Sequence, residues 1–171
     1  MIAIIDYKAG NITSVRLGCE AVGATAQITS DPDIIRAASH IIFPGVGAAG
    51  YAMEKLQESN LIPIIKECIA SDKPFLGICL GTQILFEHSE EDGGVKTLGV
   101  FTGNVKKFIP QSQLDKIPHM GWNSLCFQNE GLLFANLPQD SYVYFVHSYY
   151  LQAEEEEIVK EVKPVKVKYT E

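Results

Sequence analysis

The residue with most chemistry to offer is Cys79. It lies in Gly77-Ile78-Cys79-Leu80-Gly81, a G-x-C-x-G in which a thiol takes the place of the serine in a nucleophile elbow. Phe75 to Ile78 reads as a short buried strand, and the spacing of Leu80, Ile84 and Leu85 predicts a helix from Leu80 onward. Cys79 then stands at a sharp corner between strand and helix. A side chain at either flanking glycine would crowd the two elements together, and the cysteine itself is expected to hold a strained backbone. The sulfur would project at the positive end of the helix, where thiolate is favoured over thiol. The Leu80 N–H points the same way and can stabilise an oxyanion. The competing reading is a small buried cysteine in an ordinary strand–helix unit.

A thiol attacking an amide needs further groups. Pro44-Gly45-Val46-Gly47 follows a predicted strand, and flexible main chain of this kind can present N–H groups to a developing negative charge. Its alternative is a tight turn. A general base is also required, usually a histidine oriented by a carboxylate. His40 opens a strand and reads as structural, and His119 falls in a loop suited to contacts. His147 ends a strand and is the one histidine expected near the elbow. His88 has a neighbouring acid in Glu90, but on a continuing helix it would lie ~13 Å along the axis from Cys79. A solvated helix end describes it better. The nucleophile is legible here and its base is not. Cys19, Cys68 and Cys126 sit in apolar contexts as inert core thiols. Tyr142, Tyr144, Tyr149 and Tyr150 either line a pocket or, more simply, pack.

The elements that must position these groups alternate. Ile2 to Asp6 is an apolar run ending in a carboxylate, as in a strand buried on both faces. After Gly10-Asn11 a helix is expected over Thr13 to Val22, stopped by Gly23. A strand follows over Thr25 to Thr29. Asp31 can cap the next helix, with Pro32 at its first position. A third strand spans His40 to Phe43, and helices cover Ala52 to Leu56 and Leu61 to Ala70. This rhythm predicts an α/β fold with a doubly wound, mostly parallel sheet. The turn after the first strand, the Pro44–Gly47 segment and the elbow would all meet at the carboxyl ends of its strands, where such folds bind ligands. Beyond Gly93-Gly94, strands over Leu98 to Phe108, Gly121 to Phe127 and Tyr142 to His147 predict an antiparallel extension. Residues 154–171, acidic and then valine- and lysine-rich, form an atypical tail of weak order.

Composition narrows the function classes. The 171 residues suit a single domain, with 46% hydrophobic and 20% charged residues. A net charge of −7 offers no electrostatic footprint for nucleic acid or an anionic membrane. No apolar run reaches spanning length, no signal peptide is evident, and four cysteines without a C-x-x-C suit reduced thiols in the cytoplasm. No cofactor and no metal site is expected.

Taken together, Gly77-Ile78-Cys79-Leu80-Gly81-Thr82-Gln83 resembles the nucleophile motif of class I, triad-type glutamine amidotransferases. Ile5-Asp6-Tyr7 with Gly10-Asn11, Pro44-Gly45-Val46-Gly47, Pro118-His119-Met120-Gly121-Trp122-Asn123 and Tyr144-Phe145-Val146-His147-Ser148-Tyr149 extend the resemblance to about Ala153. Within that superfamily they resemble the glutaminase subunits of imidazole glycerol phosphate synthases, which serve histidine biosynthesis. The resemblance implies hydrolysis of glutamine to glutamate and ammonia, the ammonia passing to a (β/α)8 cyclase partner in a heterodimer. It implies Cys79 as nucleophile, and Val46 and Leu80 as N–H donors to the oxyanion. Gly45 and Gly47 would let that strand reorient, and Gln83, Ser148 and Tyr149 would hold glutamine. Asn11, Met120, Trp122, Asn123 and Tyr144 would lie toward the cyclase. The family completes its triad with a His-Pro-Glu on a later strand. Residues 148–171 contain no histidine, so the chain as written is expected to lack that part of the domain and to hydrolyse little glutamine alone. A non-catalytic binding subunit of the same complex is the alternative.

Overall fold

Ile2, Ala3, Ile4 and Ile5 alternate their side chains between two apolar layers, which is why this run forms a strand at the centre of a sheet. The computed structural model describes residues 1–110, 116–125 and 136–154. In order these form β1 (Ile2–Ile5), α1 (Ile12–Ala21), β2 (Ala26–Thr29), α2 (Pro32–Ala37), β3 (His40–Gly45), α3 (Ala49–Glu58), α4 (Ile62–Ala70), β4 (Phe75–Cys79) and α5 (Leu80–Gln83). Then come β5 (His88–Ser89), a 3-10 turn (Glu91–Gly93), β6 (Val95–Lys96), β7 (Gly103–Lys107), β8 (His119–Ser124), β9 (Tyr142–His147) and β10 (Tyr149–Ala153).

The first four strands form a parallel sheet in the order β2-β1-β3-β4. One face buries Ala3, Ile5, Ile41 and Phe43 against Ile35 of α2, Ala52 and Leu56 of α3, and Ile64 and Ile65 of α4. The other buries Ile4 and Ile42 against Cys19, Val15 and Ile12 of α1. This is the α/β, doubly wound sheet expected. A mixed sheet β10-β7-β5-β6 and the hairpin β8-β9 supply the antiparallel part.

Local signals explain most boundaries. Asp31 Oδ1 accepts from the Asp33 N–H at 2.8 Å, with Pro32 opening α2 as expected. α3 starts earlier than its apolar spacing suggests, because the Ala49 N–H donates to Glu91 Oε2 at 2.8 Å. That is a cap from a distant residue, invisible to local pattern. β3 also runs further than expected. Pro44 and Gly45 are strand residues, paired with Ile78 and Cys79, and not a turn. β1 leaves β3 after the Ile4–Ile42 pair, so Pro44 continues in a stretch of β3 flanked by β4 alone.

Further expectations fail. α5 stops at Gln83, because the carbonyls of Ile84, Leu85 and Phe86 accept from the N–H groups of Leu98, Val100 and Gly99. His88 consequently lies on β5, its ring against Gly94, and not at a helix end. His119 opens β8 and is not in a loop. Cys126, Phe127 and the tail beyond Glu154 fall outside the described residues. Among the described residues no helix is long and apolar enough to cross a membrane.

Candidate active site

The corner at Cys79 has the geometry its glycines require. Cys79 holds φ 54° and ψ −118°, a conformation that side chains rarely adopt, and it is exposed. A Cβ on Gly77 would lie 2.8 Å from Thr82 Oγ1, and one on Gly81 only 1.9 Å from the carbonyl oxygen of Phe43. Strand β4, helix α5 and strand β3 therefore approach as closely as they do only because both residues lack side chains. Leu80 is buried as the first residue of α5, so its N–H has no acceptor within the helix. Four residues make too short a helix for its dipole to count for much, and the anticipated thiolate-favouring field of a long helix is absent.

Around this corner gather the other carboxyl-end segments of the sheet. Gly45 pairs with Cys79 in register, Val46 beyond it is half-exposed, and Gly47 has φ 92° with open space around it. The loop after β1 passes over the same point, since a Cβ on Gly10 would meet the Pro44 carbonyl oxygen at 3.9 Å and Gly45 Cα at 4.0 Å. The three segments that sequence placed together are together.

A second set of contacts leads away from α5. Gln83 Nε2 donates to the Tyr149 carbonyl at 3.4 Å. The same carbonyl accepts from His147 Nδ1 at 2.9 Å, and the Ser148 carbonyl accepts from the Phe108 N–H at 3.0 Å. A carbonyl only accepts, so His147 carries its proton on Nδ1. His147 Nε2 then accepts from His119 Nδ1, 3.3 Å away. Burial, then the neighbouring His147, hold His119 below the usual histidine range. The expectation set His147 near the elbow; the structure links it to Gln83 of α5 only through the shared Tyr149 carbonyl, and its partner His119 had gone unnoticed. Burial pushes the Tyr149 phenol up, and Glu91, Asp92 and Glu90 push it the same way. That acidic turn had no signal in the sequence pattern either. Among the described residues no hydrogen bond reaches Cys79 Sγ, and no cluster of three or more His, Cys, Asp or Glu is arranged to hold a metal ion.

The residues expected toward a partner divide. Met120 and Trp122 of β8 lie opposite Val146 and Tyr144 of β9, and all four are exposed. The Trp122 and Tyr144 rings meet edge to face at 5.7 Å. Asn123 falls on the opposite face of β8 by alternation, its Oδ1 accepting from the Ser124 N–H. Asn11 is elsewhere, capping α1 through the Ser14 N–H at 3.4 Å. Cys19 and Cys68 are buried as expected.

A family model for glutamine amidotransferase class-I matches residues 3–168. The chain belongs to the class-I glutamine amidotransferase family. Among its curated relatives, the imidazole glycerol phosphate synthase subunit HisH of a Cyanothece species is 48% identical over 159 residues, covering 92% of this chain and 74% of that protein. The subunit HisH of Nostoc punctiforme is 49% identical over 152 residues, covering 88% and 71%. In fold, the chain is similar to a crystal structure of a glutamine amidotransferase at TM-score 0.67 and 14% identity, covering 91% of this chain and 76% of that one. A glutamine amidotransferase from Thermotoga maritima is similar at TM-score 0.58 and 17% identity, covering 89% and 62%. The expected family is thus the observed one. The chain is a glutamine amidotransferase, and the relatives lend no support to a non-catalytic alternative.

Proposed function

We propose that this amidotransferase is the glutaminase subunit of an imidazole glycerol phosphate synthase, with Cys79 as its nucleophile. The observation that carries the reading is the exposed thiol at φ 54°, between the first N–H of α5 and the Val46 segment, in a chain whose curated relatives are HisH subunits. The Cys79 thiolate attacks the side-chain carbonyl carbon of glutamine. The resulting oxyanion is held by the N–H groups of Leu80 and Val46. Collapse of that adduct breaks the C–N bond, the nitrogen taking up the proton that the Cys79 thiol gave up on attack, and releases ammonia. Water then cleaves the thioester to glutamate and regenerates the thiol. Gln83, Ser148 and Tyr149 frame the substrate, and the acidic turn beside Tyr149 suits the ammonium group of an amino acid.

The partner is a cyclase subunit with a (β/α)8 barrel, and the face of Met120, Trp122, Tyr144 and Val146 is where it docks. Exposed aromatic residues clustered on one face of a strand pair are the composition of an interface core. Asn11, which caps α1, and Asn123, on the other face of β8, are not part of that face. Ammonia passes from Cys79 into the barrel, and the work is done in the cytoplasm. An electrophilic glutamine analogue, incubated with the complex at neutral pH, tests the reading. Covalent labelling of Cys79, blocked by glutamine and absent in Cys79→Ala, is the expected result; an unlabelled Cys79 refutes it.

A further inference from the structure

One polar side-chain atom among the described residues is buried with no hydrogen-bond partner, the hydroxyl of Tyr7. Tyr7 is completely enclosed, its ring tilted against Phe43 at 5.5 Å. A hydroxyl left unpaired in the interior is costly, and phenylalanine would fill the same space without the penalty. Where the oxygen sits is specific. It stands 2.8 Å from the point a Cβ on Gly45 would occupy, and that same point is 2.5 Å from the Gly81 N and 3.0 Å from the Leu80 carbonyl carbon. The hydroxyl thus lies against main chain where β3 meets the elbow. Burial, then the nearby Cys79, push the phenol up to about 12. It keeps its proton and is a donor lacking an acceptor.

The main chain beside it has glycines on both sides of Val46. Gly45 has no side chain to obstruct a turn, and Gly47 at φ 92° faces open space, so the peptide joining Gly45 to Val46 is bracketed by permissive residues. A trans peptide carries its N–H and its C=O on opposite sides. When the Val46 N–H faces the substrate beside exposed Cys79, the Gly45 carbonyl turns away from it, to the buried side where Tyr7 lies. We propose that Tyr7 is a positioning residue, its hydroxyl donating to the Gly45 carbonyl only when the Gly45–Val46 peptide is turned for catalysis. The orphaned donor is the resting state of a bond made in the active one. The inference rests on Val46 as an oxyanion donor, as argued above.

Tyr7→Phe in the complex with the cyclase subunit tests it. The expected result is a kcat for glutamine hydrolysis lowered about tenfold, the worth of one hydrogen bond. KM is unchanged and Tm is equal or higher, because nothing bonded in the resting protein has been removed. A merely structural tyrosine would lower Tm and leave kcat alone. Unchanged kcat overturns the proposal, as does a fall in Tm. So does a shifted pH profile for alkylation of Cys79, which would mean that the hydroxyl serves the thiol. Val46→Pro, which deletes the N–H itself, separates the two levels. If it stays active, the oxyanion reading fails and Tyr7 with it. If it is inactive while Tyr7→Phe is fully active, Tyr7 alone is excluded.

Discussion

The elbow and the β8–β9 hairpin are built on opposite terms. At the elbow, glycines let three segments of main chain approach until a single added carbon would sit 1.9 Å from a carbonyl oxygen. Its surroundings are sealed by Phe43, Leu80 and Ile84, all buried. On the hairpin, Met120, Trp122, Tyr142, Tyr144 and Val146 turn apolar surface outward, with Trp122 69% exposed. The first region stores its function in contact within the chain. The second holds its apolar side chains outward, on the face proposed above to meet the partner. Mutations in the two regions should therefore fail in different ways.

The largest effect falls on chemistry at the elbow. Cys79→Ala should lower ammonia production by the complex about 10³-fold or more, since nothing else supplies the covalent step. Association with the cyclase should stay intact by analytical ultracentrifugation. Loss of association as well would mean that the two regions are not separable. Gly81→Ala comes next and acts through folding. A methyl group at 1.9 Å from the Phe43 carbonyl oxygen must push β3 from α5, for a loss of about 3 kcal/mol or more in urea unfolding. Gly18→Ala is its control, because a Cβ there meets nothing within 4 Å. On the exposed side of α1 it should stabilise by about 0.5–1 kcal/mol. Two glycines of one chain thus give opposite signs, set by surroundings alone.

Legibility in the sequence follows the same division. The parallel sheet was readable because its signals are local: the apolar run of Ile2 to Ile5, the Asp31-Pro32 cap, and glycines at both flanks of Cys79. The elbow was readable because sterics allow few residues there. What pattern could not show depends on contacts across the chain. Glu91 caps α3 from 42 residues away, and the Leu98–Phe101 loop keeps α5 from continuing by taking the carbonyls of Ile84, Leu85 and Phe86 just beyond it. Pro44 remains in a strand because a neighbouring strand has already departed. Tyr7 gave no sign, for its interest lies in a partner it lacks. The family resemblance supplied roles for Gln83, Ser148 and Tyr149 that spacing alone had not suggested.

On the hairpin the expected failure is in association. Trp122→Ala removes a large ring that is mostly exposed and makes its aromatic contact to Tyr144. Folding stability of the isolated chain should change by under about 0.5 kcal/mol. Affinity for the cyclase should fall by about 2 kcal/mol, some thirtyfold, as for the aromatic anchor of an interface. Unaltered affinity in a titration would move the docking face elsewhere. Equal losses in folding and affinity would make Trp122 part of the core instead.

The smallest effect joins the two regions. His119 and His147 lie on the inward face of the hairpin, and their hydrogen bonds run from β8 to the Tyr149 carbonyl that also receives Gln83. Both Nδ1 atoms donate, so His147 Nε2 must stay unprotonated to accept from His119. Because burial and His147 hold His119 below its ordinary 6.5, the unfolded chain binds a proton there before the folded one does. The stability conferred by neutral His119 is complete above about pH 6.5 and is lost as pH falls below it. Between pH 7 and pH 5, Tm should decline less steeply for His119→Gln than for the unaltered chain. The same acidification should raise KM for glutamine, through the loosened Tyr149 carbonyl, more than it lowers kcat. Parallel Tm slopes in the two proteins would show that the pair carries no pH-dependent strength, and that the hairpin answers to its partner without a link to the glutamine site.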